Sequence, residues 1–446
     1  MARSIVAAVE RIKADIAQWL QPAAIEDLCQ AIGHAWRERV LDPARTIHLF
    51  LLQILHGNTA CSHVPRLGGV ECSGEAYCQA RSRLPLALFE CLLLLVRDRL
   101  PQASADGLWR GHRTFLADGS STSMPDTPEL QEAYGQPGAQ KPGCGFPVMH
   151  LLALFDAATG LLLSLVGAPL RTHDMSRIEA VHPELRAGDI LVGDRAFCSF
   201  AHLALLQARK VFGVFRVHQR QIVDFRPRRR QARKGESGRP TSRWLKRLGR
   251  HDQLVEYTKP AQRPKWMTPE AYAALPETLT VRELCYTICI PGRRTRHVTL
   301  ATTLLDPIRY PADALAELYG QRWKIETNFR HLKQTLSMDV LRCQTVKGVQ
   351  KELAMYALVY NLVRCVMLQA AKQQEVLVDR ISFIDAVRWL AEACAGDGQA
   401  LHLRVNPLRP GRYEPRVVKR RPKEYDRMNQ PRAVLRKKLL EQQDAT

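Results

Sequence analysis

The 446-residue sequence predicts a mixed α/β core, interrupted by a β-rich basic insertion and preceded by an all-helical N-terminal region. Three observations predict it. Residues 1–110 place apolar side chains at helical spacing. Residues 111–209 alternate short apolar runs with helical stretches, as mixed sheets do. Residues 210–297 then combine strand-like runs with Arg-, Gly- and Pro-rich stretches, before residues 298–402 resume a strand and long helices. Residues 403–446 form a basic tail.

In the first region Ile5, Val9, Ile12, Ile16 and Leu20 recur at helical spacing, and Thr46–Leu55 is a second apolar helix. A helix–turn–helix pattern follows. Ala60–Arg66 leads into the turn Leu67-Gly68-Gly69, and Gly74–Arg83 runs as a helix up to Pro85. That helix presents Glu75, Gln79, Arg81 and Arg83, and such units place their second helix in the DNA major groove. An ordinary helical bundle produces the same pattern.

Strands begin at Thr114–Ala117. Val148–Phe155 and Leu161–Ala168 read as a hairpin around Asp156–Gly160. Ser176–Leu185 is expected as a short helix, Ile190–Gly193 as a four-residue strand and Ala201–Arg209 as a helix. Within the insertion, Val211–Val217 and Val281–Ile290 are strand-like. Val298–Leu304 is a strand, Ala312–Leu336 and Val349–Lys372 are long helices, and Phe383–Cys394 is a shorter one. The Pro-rich tail reads as an extended arm.

Composition bounds the function. A 46% hydrophobic fraction with 24% charged residues excludes a disordered chain or a fibrous repeat. The formal charge of +21 is concentrated: residues 209–265 hold 18 Lys/Arg against 4 Asp/Glu, and residues 404–438 hold 13 against 3. These segments carry +14 and +10, so the rest of the chain sums to about −3. Two basic limbs on a near-neutral body suit a polymer of phosphates better than a small anion. No stretch reads as membrane-spanning: Ala87–Val96 is too short, and Leu151–Leu170 is broken by Asp156 and Gly160. Glu10, Lys13 and Asp15 interrupt any signal-peptide core. None of the twelve cysteines forms a Cys-x-x-Cys pair. Cys91, Cys365 and Cys394 lie in apolar surroundings, so reduced buried thiols and a cytoplasmic protein are expected.

Three carboxylates stand out by position. Asp118 is expected to end a strand before Gly119-Ser120-Ser121-Thr122. Asp194 ends another, in Gly193-Asp194-Arg195-Ala196-Phe197, and Glu326 lies inside a long helix. Carboxylates from adjacent strands and a crossing helix can converge on a hard divalent cation, which takes oxygen ligands. Two such ions about 4 Å apart can serve phosphodiester chemistry. Asp126, Asp156, Asp174 and Asp189 are rivals of the same type, since an Asp in such a place also forms turns. Around Glu326, the residues Tyr319, Arg322, Glu326, Arg330 and Lys333 occupy one helical arc of about 80° at roughly 100° per residue. Ile325, Phe329, Leu332 and Leu336 form the neighbouring apolar stripe. The carboxylate can hold metal while the cations hold phosphates; Glu–Arg pairs at this spacing also make simple helix salt bridges.

Tyr319-x2-Arg322-x3-Glu326-x6-Lys333 resembles the Y-R-E-K signature of bacterial insertion-sequence transposases, the insertion-sequence-four family of DDE enzymes. Ala117-Asp118-Gly119-Ser120 with Asp126-Thr127 resembles that family's first Asp motif, and Val192–Phe197 its second. The resemblance covers about 112–345. It implies an RNase H-like catalytic core with its β-rich insertion between the second Asp and the Glu, and an all-helical N-terminal DNA-binding domain. It implies Asp118, Asp194 and Glu326 as ligands of Mg²⁺, with Mn²⁺ able to substitute. It also implies Tyr319, Arg322, Arg330 and Lys333 as contacts to DNA. Arg330 stands where some relatives carry Lys, and no Trp lies just upstream of Val298, where some relatives place a base-stacking aromatic. Trp266 and Trp323 are possible substitutes.

The implied activity is cut-and-paste DNA transposition: strand nicking at each end, a hairpin, its reopening, and joining of the 3′-OH to target DNA. The implied partners are double-stranded DNA with terminal inverted repeats, target DNA, and a second copy of the chain in a homodimer. A Mg²⁺-dependent nuclease of the same fold without strand transfer is the alternative, and an inactive DNA-binding relative is a third.

Overall fold

The computed structural model describes residues 20–98, 107–172, 174–233, 236–288, 296–392, 401–408 and 430–443. The expected helix through Ile5–Ile16 and the central part of the tail lie outside them. A nine-stranded sheet, ordered β3-β2-β1-β4-β5-β9-β8-β7-β6, forms the centre. β1 (Thr114–Ser123), β2 (Val148–Asp156) and β3 (Leu162–Pro169) make an antiparallel meander, and β4 (Ile190–Gly193) and β5 (Phe212–Arg216) continue it in parallel with β1. Three antiparallel and two parallel strands in this order are the arrangement of the expected core.

Four antiparallel strands extend the same sheet: β6 (Arg243–Gly249), β7 (Asp252–Thr258), β8 (Thr278–Ile288) and β9 (Arg296–Thr302). β5 falls inside the segment 210–297 yet pairs with both β4 and β9. Its apolar run marks a strand, but pairing alone decides which sheet the strand joins. Arg282 on β8 closes on Asp252 of β7 through Nε at 2.8 Å and donates from Nη1 to the Tyr310 carbonyl at 2.6 Å. This buried fork ties the added strands to the chain that enters the next helix.

Alternate strand residues face two cores. Leu116, Ala153, Phe155, Ile190 and Val192 enter one, while Phe115, Ala117, Leu152, Leu154 and Leu191 enter the other. Burial on both faces explains why these strands read as continuous apolar runs. The second core is covered by α7 (Phe200–Ala208) and by three short 3₁₀ turns at 174–184, where a single helix was expected. The first is covered by the long helix α11 (Val346–Gln373), by α12 (Phe383–Glu392) and by the short α6 (Pro128–Tyr134), while the short α8 (Pro269–Ala273) adds Tyr272 to the second. The helices α1 (Pro22–Ala31), α2 (Pro43–Leu55) and α5 (Leu86–Asp98) share the first core. Between them α3 (Val64–Gly68) and α4 (Gly74–Arg83) form the expected helix–turn–helix pair, with left-handed Gly69 at the turn.

α11 is long and apolar enough to span a bilayer, with a window of mean hydropathy 1.4, but 83% of that window is buried in the molecule. It is fastened to the β2–β3 turn by side chains. Asn361 brackets Leu162 with two 2.8 Å bonds, and the Tyr360 hydroxyl donates to the Gly160 carbonyl at 2.9 Å. Glu352 accepts from Asn58 at 2.6 Å, binding the N-terminal helices to the same rod.

Two expectations are corrected here. The single helix 312–336 is three pieces: α9 (Ala312–Gly320), α10 (Trp323–Arg330) and a π-helical turn at His331–Thr335. The tail is not extended throughout, since α13 (Arg432–Gln443) is helical. Arg432 anchors it, with its guanidinium 3.0 Å from Asp126 and over the Phe146 ring.

Asp252 would be left as an uncompensated buried charge in Arg282→Met, which is expected to destabilise the protein by about 3–5 kcal/mol. Chemical denaturation of Arg282→Met and of Arg282→Met/Asp252→Leu checks this, and the double variant should recover most of the loss.

Candidate active site

Ala117 of β1 lies opposite Gly193 of β4 in the parallel ladder, so Asp118 and Asp194 follow as neighbours at the next position. Asp194 ends β4 as expected and caps the 3₁₀ turn beyond it by accepting from the Ala196 N–H at 2.7 Å. Asp118 does not end its strand. β1 runs on to Ser123 because β2 still pairs with it, Gly119 against Leu152. What stops at Asp118 is the partner β4, which opens that edge of β1 to other groups. Asp118 Oδ1 accepts from the Gly119 N–H at 2.9 Å.

The broken helix supplies the rest. Arg322, at the joint between α9 and α10, stretches one guanidinium between two carboxylates: Nη1 is 3.2 Å from Asp118 Oδ2 and Nη2 is 3.3 Å from Glu326 Oε1. Glu326 itself is 48% exposed. The π turn brings Lys333 back to β1, with Nζ 3.4 Å from Ser120 Oγ. Arg330 is exposed on the same stretch, while Tyr319 is buried beside Arg322, which lowers its phenol against the upward push of burial. Trp323 is exposed beside Arg322, whereas Trp266 packs against the second core.

Among the four rival carboxylates, three have other work. Asp156 holds the hairpin turn, accepting from the Thr159 N–H at 2.7 Å. Asp189 takes the Arg113 guanidinium, and Asp126 takes Arg432. Asp174 stands at the site: a side chain at Gly119 would collide with its carboxylate, and its Oδ1 is 2.9 Å from His150 Nε2. Gly119 is therefore needed for close approach rather than for a turn. Two further residues escaped the sequence reading. Arg216 of β5 lies close enough to Tyr319 to pull its phenol down, and Tyr286 of β8 is pushed up to about 12 by burial and by its neighbour Tyr319. Neither carries a local signal, because only the pairing of β5, β8 and β9 brings them in.

The electrostatics are those of a carboxylate site short of positive charge. Burial pushes Asp118 up to about 6, the Gly119 N–H and Arg322 pull it down, and Asp194 and Asp174 raise it by repulsion. As the side chains stand, no group of three acidic, His or Cys residues among the described residues is close enough to hold a metal. Arg322 occupies the space between Asp118 and Glu326.

The transposase DDE domain family matches residues 109–362, more than half of the chain. The chain belongs to this family of DDE transposases. It is 26% identical over 374 residues to the InsG transposase of insertion sequence element IS4 from Escherichia coli (strain K12), across 79% of this chain and 77% of that protein. A putative transposase of the same organism, InsZ, is 32% identical over 127 residues, 28% of this chain and 42% of its own length. A piggyBac transposase in a synaptic complex with hairpin DNA aligns with 87% of this chain and 79% of that one, at 10% identity and a TM-score of 0.46. The expected membership of the insertion-sequence-four kind is thereby borne out. The DDE transposase is an enzyme that cleaves DNA and transfers strands, and its family depends on divalent metal. The donor set fits such an ion: it offers hard carboxylate oxygens, and an added cation would pull Asp118 back down toward the ordinary carboxylate range.

A carboxyl raised on folding stabilises the protein below its unfolded pKa of about 3.9, and that contribution disappears as pH rises through about 6. Metal-free Asp118→Asn is therefore expected to melt above the wild type at neutral to alkaline pH, with the gap closing near pH 4. Divalent metal should raise the wild-type melting temperature and leave the variant's unmoved. Thermal melts across pH measure both.

Proposed function

We propose that this transposase moves its element by cut and paste, with Asp118, Asp194 and Glu326 as ligands of Mg²⁺, for which Mn²⁺ can substitute. The observation that carries the reading is the parallel register that sets Asp118 beside Asp194, with Arg322 reaching both Asp118 and Glu326. The bound cation supplies Lewis acidity and neutralises charge on the reacting phosphate. Glu326 joins the two aspartates once Arg322 withdraws toward a DNA phosphate, for which its planar fork is suited. Tyr319, buried against Arg322, steers that guanidinium. Lys333 and Arg330 hold phosphates on the flanks, and Trp323 offers an open aromatic face for a base displaced from the stack. Successive in-line phosphoryl transfers at one such site nick the ends, pass through a hairpin, and join the 3′-OH to target DNA.

The N-terminal helices read the terminal inverted repeats, with α4 toward the DNA. Glu75, Gln79 and Arg83 are exposed on it, while Arg81 turns inward, its Nη1 2.6 Å from Gln53 Oε1 and its Nη2 2.8 Å from Cys343 Sγ. Two ends must be held together, so the active form is a two-fold dimer on DNA in the cytoplasm.

Asp118→Ala and Asp194→Ala are expected to abolish Mg²⁺-dependent cleavage of element-end DNA while binding it normally; cleavage by either variant would sink the assignment. Joined products with target DNA should form in the wild type, and their absence alongside cleavage would mean a nuclease. Lys333→Ala should lower the salt slope of binding by about 0.9 per lost phosphate contact.

A further inference from the structure

Outside the region matched by the DDE family, the N-terminal helices enclose a pocket of about 440 Å³. Its walls are the connection from α1 to α2, the start of α2, and the C-terminal end of α4. Its volume lies in the range of sites that hold small ligands, about 300–1,000 Å³. Three guanidiniums line it, from Arg37, Arg39 and Arg83, and no carboxylate does among the described residues. Arg37, Arg39 and Arg83 are exposed members of that lining. The apolar side is different in kind. Trp36 is half-buried against the main core and stacks with His34 at 6.3 Å between ring centroids, so its indole plane is held. Leu84 completes that wall.

A fixed aromatic plane beside a fork of guanidiniums matches one chemical unit, a base joined to its phosphate. A free inorganic anion would leave the indole unused, and an apolar ligand would make no use of the three guanidiniums. The pocket also lies at the end of the helix proposed to face the DNA, since Arg83 belongs to both. We infer that this pocket receives one nucleotide of the element-end DNA, displaced from its stack, with the base against Trp36 and the phosphate on Arg37, Arg39 and Arg83. The inference rests on the reading that the N-terminal helices bind the ends. It adds a second point of sequence-tolerant grip, far along the chain from the carboxylates, where a base with little stacking energy enters most readily.

Element-end duplexes carrying 5-iodouracil at one position at a time test it by photo-cross-linking to the full-length protein. One position is expected to cross-link to the peptide containing Trp36. The cross-link should vanish in Trp36→Ala, persist in Trp36→Phe, and fall several-fold in Arg83→Ala. Arg37→Ala/Arg39→Ala should weaken end binding several-fold and reduce its salt slope by about 0.9 per phosphate contact. Excess free dTMP should leave the cross-link in place, because the duplex adds the contacts of α4; displacement by dTMP overturns the DNA-borne assignment. Bound duplex with no cross-link at Trp36 from any position overturns the inference and leaves end binding intact. No binding of end duplexes by the wild type overturns both.

Discussion

Ala117 and Gly193 face each other in the ladder between β1 and β4, and the two carboxylates that follow them have little freedom to be elsewhere. The pairing is short, four residues on each strand, and it stops at Gly193. Because β2 continues to hold β1 on its other side, β1 remains a paired strand beyond that point. Asp118 thus sits on a rigid strand with an open edge, and Asp194 sits on the turn that leaves the sheet. Everything else at the site comes to this fixed pair: Asp174 through the space left by Gly119, Arg322 and Glu326 through the jointed helix, and Lys333 through the π turn.

Such rigidity depends on burial on both faces of the sheet. One face is covered by α7 and the 3₁₀ turns, the other by α11 and the N-terminal helices. α11 has the length and hydropathy of a membrane span, yet its apolar surface is spent on the sheet, α2, α5 and α12. Its buried polar groups all have protein partners of definite kind: Asn361 on the edge strand, Arg364 on the Thr159 carbonyl, Glu352 on Asn58 and the Cys343 N–H. A buried amide or charge placed without these bonds would cost more than its burial contributes. They therefore fix how the rod sits, and with it where the helices before β1 lie.

The charge of the chain and the charge of the site work in opposite directions. Among the described residues, exposed basic side chains crowd β6, its flanking loops and α13, while Asp118 and Asp194 are half-buried. Repulsion and desolvation hold Asp118 well above its usual range, and a single guanidinium compensates it in part. Arg322 is the one cation paired with both Asp118 and Glu326 among the described residues, so a polyanion that drew it away would leave both acids without that partner.

Much of this was legible in the sequence. Motif spacing singled out Asp118, Asp194, Glu326 and the cations around Glu326, apolar runs located β1 to β4, α2 and α11, and the helix–turn–helix pattern located α4. Those signals are local, since hydrophobic period and residue spacing report on a few neighbouring turns or pleats. The sequence could not show that Asp118 lies mid-strand, because Asp-Gly reads as a turn unless a partner strand holds it flat. Nor could it show that the insertion joins the core sheet, that Asp174 rather than its three rivals reaches the site, or that Tyr286 and Arg216 border it. It gave no sign that Arg81 points inward, because helical spacing says which residues share a face but not what that face meets. Strand pairing and helix docking bring together residues far apart in the chain, and those contacts are decided by the summed burial of both cores. The sequence by itself determined the chemistry the site can hold; only the tertiary structure decided which residues stand close enough to perform it.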